Sequence, residues 1–358
     1  MAFLTLLSWN IRILGPAKIG DEPSLARPTP YRKPAKQKAA ILQTIGDTVN
    51  MLGADIVSVL EVCGSTAGYF RTLFLTAVKK ATGGDWEVEL IPSNKNDVYF
   101  IAYRKDAGFD VLRDSNKDVV KGLTHQDDKD RVLIFSPPKM GGQGRYPGYV
   151  AFKTDAGRVF TVICYHACMG GKDQTKGIKN IAKVAPVTQV SVDGANTTVA
   201  VSVVSGDFNV NYLTDQAAYA NVTDATQGWA ATPAIPSTKG NNAKTSLVDV
   251  IPNADDPSSV DFRANAYDNI FAHGSQFDAG DVDDIIAGFV NPTKASDSLA
   301  YLQECARKFN YKTLNKRLEY RPEIGKITTI PPQNATDSWR VYRRALSDHL
   351  PVWGRFTI

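Results

Sequence analysis

Five short apolar runs in this chain each close on an acid, an amide or a histidine. They read Leu7-Ser8-Trp9-Asn10, Val59-Leu60-Glu61-Val62, Ile163-Cys164-Tyr165-His166, Val204-Ser205-Gly206-Asp207-Phe208-Asn209 and Leu346-Ser347-Asp348-His349-Leu350-Pro351-Val352. A sixth, Ala266-Tyr267-Asp268-Asn269-Ile270-Phe271, begins with the acid and then turns apolar. Runs this short, rich in β-branched and aromatic residues, fit strands. Polar groups at strand ends collect along one rim of a sheet, where loops can close a site around them.

The same pattern recurs along the chain. The expected strands are Phe3–Trp9, Asp55–Glu61, Trp86–Ile91, Val98–Tyr103, Val132–Ser136, Tyr149–Lys153, Val159–His166, Ala200–Asp207, Asn269–His273 and Val352–Ile358. Several are continuously apolar, as strands covered on both faces should be. Lys36–Leu52 places Ile41, Ile45 and Val49 one helical turn apart, and Thr66–Ala81 and Ser296–Lys308 read as helices too. Many strands follow one another directly, which points to mixed sheets rather than a doubly wound parallel sheet. Gly15–Pro34, Gln227–Asn265 and Thr313–Thr336 read as loops or insertions, and no linker splits the chain. One domain over residues 1–358 is expected, with insertions near 13–35, 227–265 and 281–345.

Composition adds little beyond a proper core: 43% hydrophobic and 22% charged residues are ordinary globular values. A net charge of +4 is compatible with a polyanionic substrate without demanding one. The opening MAFLTLLSWNIR lacks the basic region and cleavage site of a signal peptide and is expected to be a first strand. A cytoplasmic location is therefore expected, although export without a cleaved signal would leave the same trace. No apolar stretch reaches the roughly 18 residues that span a bilayer. The four cysteines do not form a disulfide framework, and Cys164 and Cys168 around His166 match no ordinary zinc spacing, so buried free thiols are expected.

The polar inventory suits phosphoester hydrolysis. Carboxylate and amide oxygens favour a hard cation such as Mg²⁺, Mn²⁺ or Ca²⁺, which would bind phosphate oxygens and neutralise developing charge. Imidazoles held by carboxylates can move the protons. Of the four histidines, His166 and His349 lie within the runs, whereas His125 and His273 do not. No Gly-Lys-Ser/Thr phosphate loop and no Gly-x-Ser-x-Gly elbow is present, which argues against NTP-driven and serine-hydrolase chemistry.

Taken in order, Ser-Trp-Asn-Ile-Arg, Leu-Glu-Val, the strand ending in His166, Gly-Asp-Phe-Asn, Tyr-Asp-Asn-Ile-Phe and Ser-Asp-His-Leu-Pro-Val resemble the endonuclease/exonuclease/phosphatase superfamily, the deoxyribonuclease I-like proteins. The resemblance runs from the first strand to the last. It implies an α/β (α+β) fold, a four-layer α/β/β/α sandwich of two mixed β-sheets flanked by helices, with the site at one edge. It further implies that Glu61 is the principal metal ligand, with Asn10 and Asp348 beside it. By the same resemblance Asp207 and Asn209 orient the attacking water or hold the phosphate. His166 and His349 act as acid/base groups or contact the phosphate, and Asp268 supports one histidine. Arg145 resembles an arginine that grips a phosphate, and Asp97 stands where a carboxylate partner for His166 is expected. The chain departs from the pattern after Glu-Val, where Cys63 and Gly64 replace the usual arginine.

The fold does not choose the substrate. Basic residues follow Asn10 (Arg27, Arg32, Lys33, Lys36, Lys38) and precede Asp348 (Arg307, Lys308, Lys312, Lys316, Arg317, Arg321). They favour a nuclease acting on nucleic acid, DNA first, with backbone phosphates neutralised rather than bases read. An inositol-phosphate or phospholipid phosphoesterase of the same fold is the alternative. A catalytically silent nucleic-acid-binding module is disfavoured because each core position keeps its reactive residue.

Overall fold

The computed structural model describes residues 3–14, 35–64, 67–93, 97–123, 147–167, 186–226, 230–247, 265–283, 347 and 349–358. The expected strand Val132–Ser136, the expected helix Ser296–Lys308, and the expected site residues Arg145 and Asp348 lie outside them.

Two mixed sheets pack face to face. The first contains β1 (Phe3–Leu14), β2 (Ile56–Cys63), β3 (Trp86–Pro92), β4 (Asp97–Arg104), β14 (Phe277–Val282) and β15 (Val352–Thr357), in the order β14-β15-β1-β2-β4-β3. Only β1 and β2 run parallel there. The second contains β5 (Phe109–Val111), β6 (Lys121–Leu123), β7 (Gly148–Thr154), β8 (Val159–His166), β11 (Val201–Asp207), β12 (Thr232–Pro233) and β13 (Asp268–His273). Its order is β12-β13-β11-β8-β7-β5, with β6 also on β7 and β8 parallel to β11. A separate hairpin joins β9 (Gln189–Val192) to β10 (Ala195–Thr198).

Alternation along the strands decides what faces what. Ser58 on β2 meets Cys164 on β8 at 2.9 Å between Oγ and Sγ, so those two residues mark the faces the sheets turn to each other. Deep in the same interface, Tyr103 of β4 packs edge-on to Phe152 of β7 at 5.4 Å, and Phe152 stacks on Phe160. On the opposite face of the first sheet lie α1 (Ala35–Met51) and α2 (Ala67–Thr82), within a residue or two of their expected spans. Phe70 and Phe74 of α2 close on Phe100 of β4 at 4.9 and 4.8 Å. Outside the second sheet, a helical turn around Tyr219 covers Phe208, Tyr212 and Phe271. The sandwich of two mixed sheets with helices outside is thus present, and no described helix is long and apolar enough to cross a membrane.

Part of the expected loop Gln227–Asn265 is ordered instead. Ala234 N–H donates to the Ile270 carbonyl at 2.7 Å, and Asn269 ties the Ile235 backbone on both sides, donating to its carbonyl at 2.9 Å and accepting its N–H at 3.2 Å. A polar composition concealed a segment that is held by hydrogen bonds to β13 together with the burial of a few apolar side chains, Ala234 and Ile235 among them.

Candidate active site

The second sheet supplies one half of the site as a row. His166, Asp207 and Asp268 are register partners across β8, β11 and β13. Each falls two residues along its strand from Cys164, from its partner Ser205 or from Ile270, the partner of Ser205 on β13, so all three point between the sheets, where they are buried. Gly206 makes this row possible. A Cβ there would stand 1.7 Å from the Tyr165 carbonyl oxygen, so a side chain would force β11 away from β8. Beyond the strand the backbone reverses at Asn209 (φ 52°), whose N–H donates to Asp207 Oδ1 at 2.9 Å. The Asn209 side-chain amide donates to the Ala167 carbonyl at 2.7 Å, pinning that turn to the end of β8.

The first sheet supplies the other half. Asn10 follows Ser8 on the inward face of β1, whose register partner is the inward Ser58. Strict alternation from Ser58 would turn Glu61 toward the helices. Its left-handed backbone (φ 58°) and the break in pairing between Val59 and Val62 re-aim it into the site instead. Asn10 Nδ2 then donates to Glu61 Oε1 at 3.3 Å and, across the sandwich, to Asp207 Oδ2 at 3.0 Å. Positive φ at a non-glycine residue costs on the order of 1 kcal/mol, and here it places a carboxylate.

His349 enters just ahead of β15. Ser347 Oγ donates to the Asn10 carbonyl and accepts the His349 N–H at 3.0 Å, and Trp9 Nε1 donates to the His349 carbonyl at 3.4 Å. Its ring Nδ1 lies 2.6 Å from Asp268 Oδ2, which also accepts the Thr245 hydroxyl at 2.6 Å. The opposite ring edge faces Asp207 Oδ2, 3.6 Å from Nε2. His166 Nε2 approaches the same Asp207 oxygen at 3.7 Å and Glu61 Oε1 at 3.6 Å, while its backbone N–H donates to the Tyr99 hydroxyl at 3.2 Å.

Asp207 is therefore the hub, shared by two imidazoles and one amide. Burial raises its carboxyl to about 7 and the nearby Asp268 adds to the rise, while a cationic His349 and the hydrogen bonds from Asn209 and Asn10 oppose it. Burial also pushes the Cys164 thiol up to about 12, and the cysteine is the buried free thiol expected there.

The donor set fits a hard divalent cation beside Asn10 and Glu61. Oxygens of Glu61 and Asp207 accept from Nδ2 and so fix the orientation of the Asn10 amide, and its Oδ1 is buried with no hydrogen-bond partner among the described residues. Such an oxygen costs roughly 1–3 kcal/mol unless something binds it, and it lies on the residue next to the Glu61 carboxylate. Asp207, Asp268 and His349 also bring ligand atoms within 4.8 Å of one another. Asp268 Oδ2 is already shared by Thr245 and His349, and both Asp207 oxygens accept hydrogen bonds, so that group is the poorer of the two.

Of the residues expected from the sequence, Asn10, Glu61, His166, Asp207, Asp268 and His349 converge, and Asn209 braces Asp207. Asp97 stands opposite Cys63 at the site end of β4. Thr245, Ser347, Trp9 and Tyr99 hold the site together but were not expected. Each bonds a group far away in sequence, a pairing that no local pattern announces.

No protein-family model matches the chain, and no curated protein matches it either. Solved structures align over its whole length at low identity. An endonuclease/exonuclease/phosphatase from Bacteroides vulgatus is 15% identical with TM-score 0.48, covering 100% of both chains. A mannosyl-6-phosphatase of Bacteroides thetaiotaomicron is 14% identical with TM-score 0.48, covering 99% of this chain and 100% of that one. TDP2 of D. rerio, complexed with a single-strand DNA product, is 13% identical with TM-score 0.46, covering 100% of both.

Proposed function

We propose that this chain is a divalent-cation-dependent phosphodiesterase that hydrolyses nucleic-acid backbones, with DNA as the first substrate to try. The observation that carries this reading is the meeting, at one rim between two sheets, of a cation-suited Asn10–Glu61 pair with a carboxylate-held imidazole. Mg²⁺ or Mn²⁺ bound at Asn10 and Glu61, with Asp348 by the resemblance, would neutralise charge on the phosphate oxygens.

The chain's own groups then divide the remaining work. Asp268 accepts the Nδ1–H hydrogen bond of His349 and supports its imidazolium form, whose Nε2–H can hold the phosphate or pass a proton to the leaving oxygen. Asp207, fixed by the Asn209 N–H and the Asn10 amide, orients the attacking water and accepts its proton. His166 Nε2, between Glu61 and Asp207, contacts the phosphate from the other side.

Both basic stretches are tethered to site strands, which supports a polyanionic substrate. In the sequence one runs from the segment after β1 into the first turn of α1, and the other lies between β14 and Ser347. Among the described residues the exposed large apolar side chains are Phe3 and Met51. Phe3 begins β1, at the rim opposite Asn10, and Met51 ends α1 close to where β2 starts, so neither borders the site.

The test is purified protein on supercoiled plasmid with Mg²⁺, Mn²⁺ or EDTA, and His349→Ala as control. Nicking that needs both the metal and His349 is expected. Hydrolysis of inositol phosphates or phospholipids with no nicking under any metal would transfer the site to those substrates. Native-rate nicking by His349→Ala would refute the site itself.

A further inference from the structure

We infer that Thr245 is a positioning residue for proton transfer, acting on His349 through Asp268. The inference deepens the reading above and rests on His349 being the proton-handling group. Thr245 comes from the polar segment expected as a loop, yet it is fully buried, and its backbone ties together the two chain segments that carry the pair. Its N–H donates to the Asn265 carbonyl at 2.9 Å, and its carbonyl accepts the Leu350 N–H at 2.8 Å.

The hydroxyl leaves little freedom. An alcohol has one proton and two lone pairs. Thr245 Oγ1 accepts the N–H of Tyr267 at 3.2 Å and of Asp268 at 3.0 Å, and backbone N–H groups can only donate. Both lone pairs are thus committed and the proton must go to an acceptor. Asp268 Oδ2 lies at 2.6 Å and the Asn265 carbonyl at 3.5 Å, so the carboxylate takes it.

That fixes what His349 can do. Asp268 Oδ2 receives one proton from Thr245 and lies 2.6 Å from His349 Nδ1, a separation that requires a proton between them. The Thr245 proton is directed at this oxygen from its own side, so the second proton belongs to Nδ1. Nε2, facing Asp207, is then the ring nitrogen that exchanges a proton with the substrate. Two donors on one carboxylate oxygen also stop it from swinging out of the plane of the ring.

The test compares Thr245→Val, which keeps shape and removes the hydroxyl, with Thr245→Ser, which restores it. Proton NMR is the first readout, because a short Nδ1–H bond to a carboxylate gives a low-field imidazole resonance, assigned here by its loss in His349→Gln. The resonance is expected in the native protein and Thr245→Ser, and shifted upfield or broadened away in Thr245→Val. The second readout is plasmid nicking: kcat should fall by about tenfold to a hundredfold in Thr245→Val, with KM within about twofold and recovery in Thr245→Ser. Should Thr245→Val fail to fold, Thr245→Cys carries the same comparison with a weak donor in its place. A folded Thr245→Val or Thr245→Cys with the native resonance and native kcat overturns the inference. If the native protein shows no phosphoesterase activity, the NMR comparison still decides the role of Thr245, so the two readings fail separately.

Discussion

Asp268→Asn perturbs the site at one point and preserves its shape. In the native arrangement the buried carboxylate stands 2.6 Å from His349 Nδ1 and can stabilise an imidazolium when that ring takes up a proton. The imidazolium charge is spread over the ring, about 4 Å from the carboxylate on average, and at an effective dielectric near 20 such a pair is worth roughly 4 kcal/mol. Loss of that stabilisation in the transition state alone slows turnover about a thousandfold. An amide can also present its NH₂ to Nδ1 and so place the ring proton on Nε2, which adds to the loss. The expected result is a kcat lower by about 10³ to 10⁴, a KM within about threefold, and a melting temperature close to native. Initial rates of plasmid nicking at saturating metal, together with a thermal scan, measure all three. A folded Asp268→Asn protein within about tenfold of native kcat would refute the imidazole–carboxylate assignment.

The remaining predictions probe the metal, the backbone and the hub. Mn²⁺ at about a hundredfold over its dissociation constant should stabilise the native chain by roughly 2.7 kcal/mol, and Glu61→Gln by less than a third of that, read from thermal scans against an EDTA reference. Gly206→Ala places a methyl 1.7 Å from the Tyr165 carbonyl oxygen, so it should cost more than about 3 kcal/mol in urea denaturation; a loss below about 1 kcal/mol would show that the β8–β11 contact can open freely. Asp207 has a folded-state carboxyl raised to about 7 by burial, so its stabilising contribution is present below the unfolded carboxylate range and is lost as pH rises through about 7. In EDTA, the stability difference between native and Asp207→Asn should therefore move toward the variant by a few kcal/mol between about pH 5 and pH 8, and a constant difference would show that Asp207 is not desolvated as described.

How much of this could be read in the sequence depends on how each strand is covered. The central strands β1, β2, β4, β8, β11 and β13 are buried on both faces and announce themselves as apolar runs. The edge strands β5, β12 and β14 lose that requirement, and β14, Phe-Asp-Ala-Gly-Asp-Val, carries almost no strand signal. The β9–β10 hairpin did carry one: its Asp193-Gly194 turn has φ of 52° and 79°, the two-residue geometry that Asp-Gly favours, but polar flanks hid it. In the site, Asn10, His166, Asp207, Asp268 and His349 were legible because each interrupts an apolar run. That Glu61 would turn inward was not, because alternation alone sends it to the other face. Nor was Thr245, a threonine in a polar stretch, whose role arises from contacts with residues 20 positions later and beyond.

The division of the site between sheets has a consequence for how it is controlled. The cation-suited groups Asn10 and Glu61 belong to the first sheet, and His166, Asp207 and Asp268 belong to the second. Their spacing is therefore set by the packing of one sheet on the other and not by any single strand. Besides the contacts of Glu61 with His166 and of His349 with Asp268 and Asp207, polar contacts among the described residues cross that interface near the site. Asn10 reaches Asp207 at 3.0 Å, Tyr99 reaches the His166 backbone at 3.2 Å, and Ser58 meets Cys164 at 2.9 Å. Protein interiors resist compression and transmit strain, so a change of one methylene here is passed on to the sheet edge. Positioned proton transfer is more sensitive to such a shift than global stability is. Rate should accordingly respond to substitutions at Ser58 or Tyr99, neither of which needs to touch substrate, before the fold does.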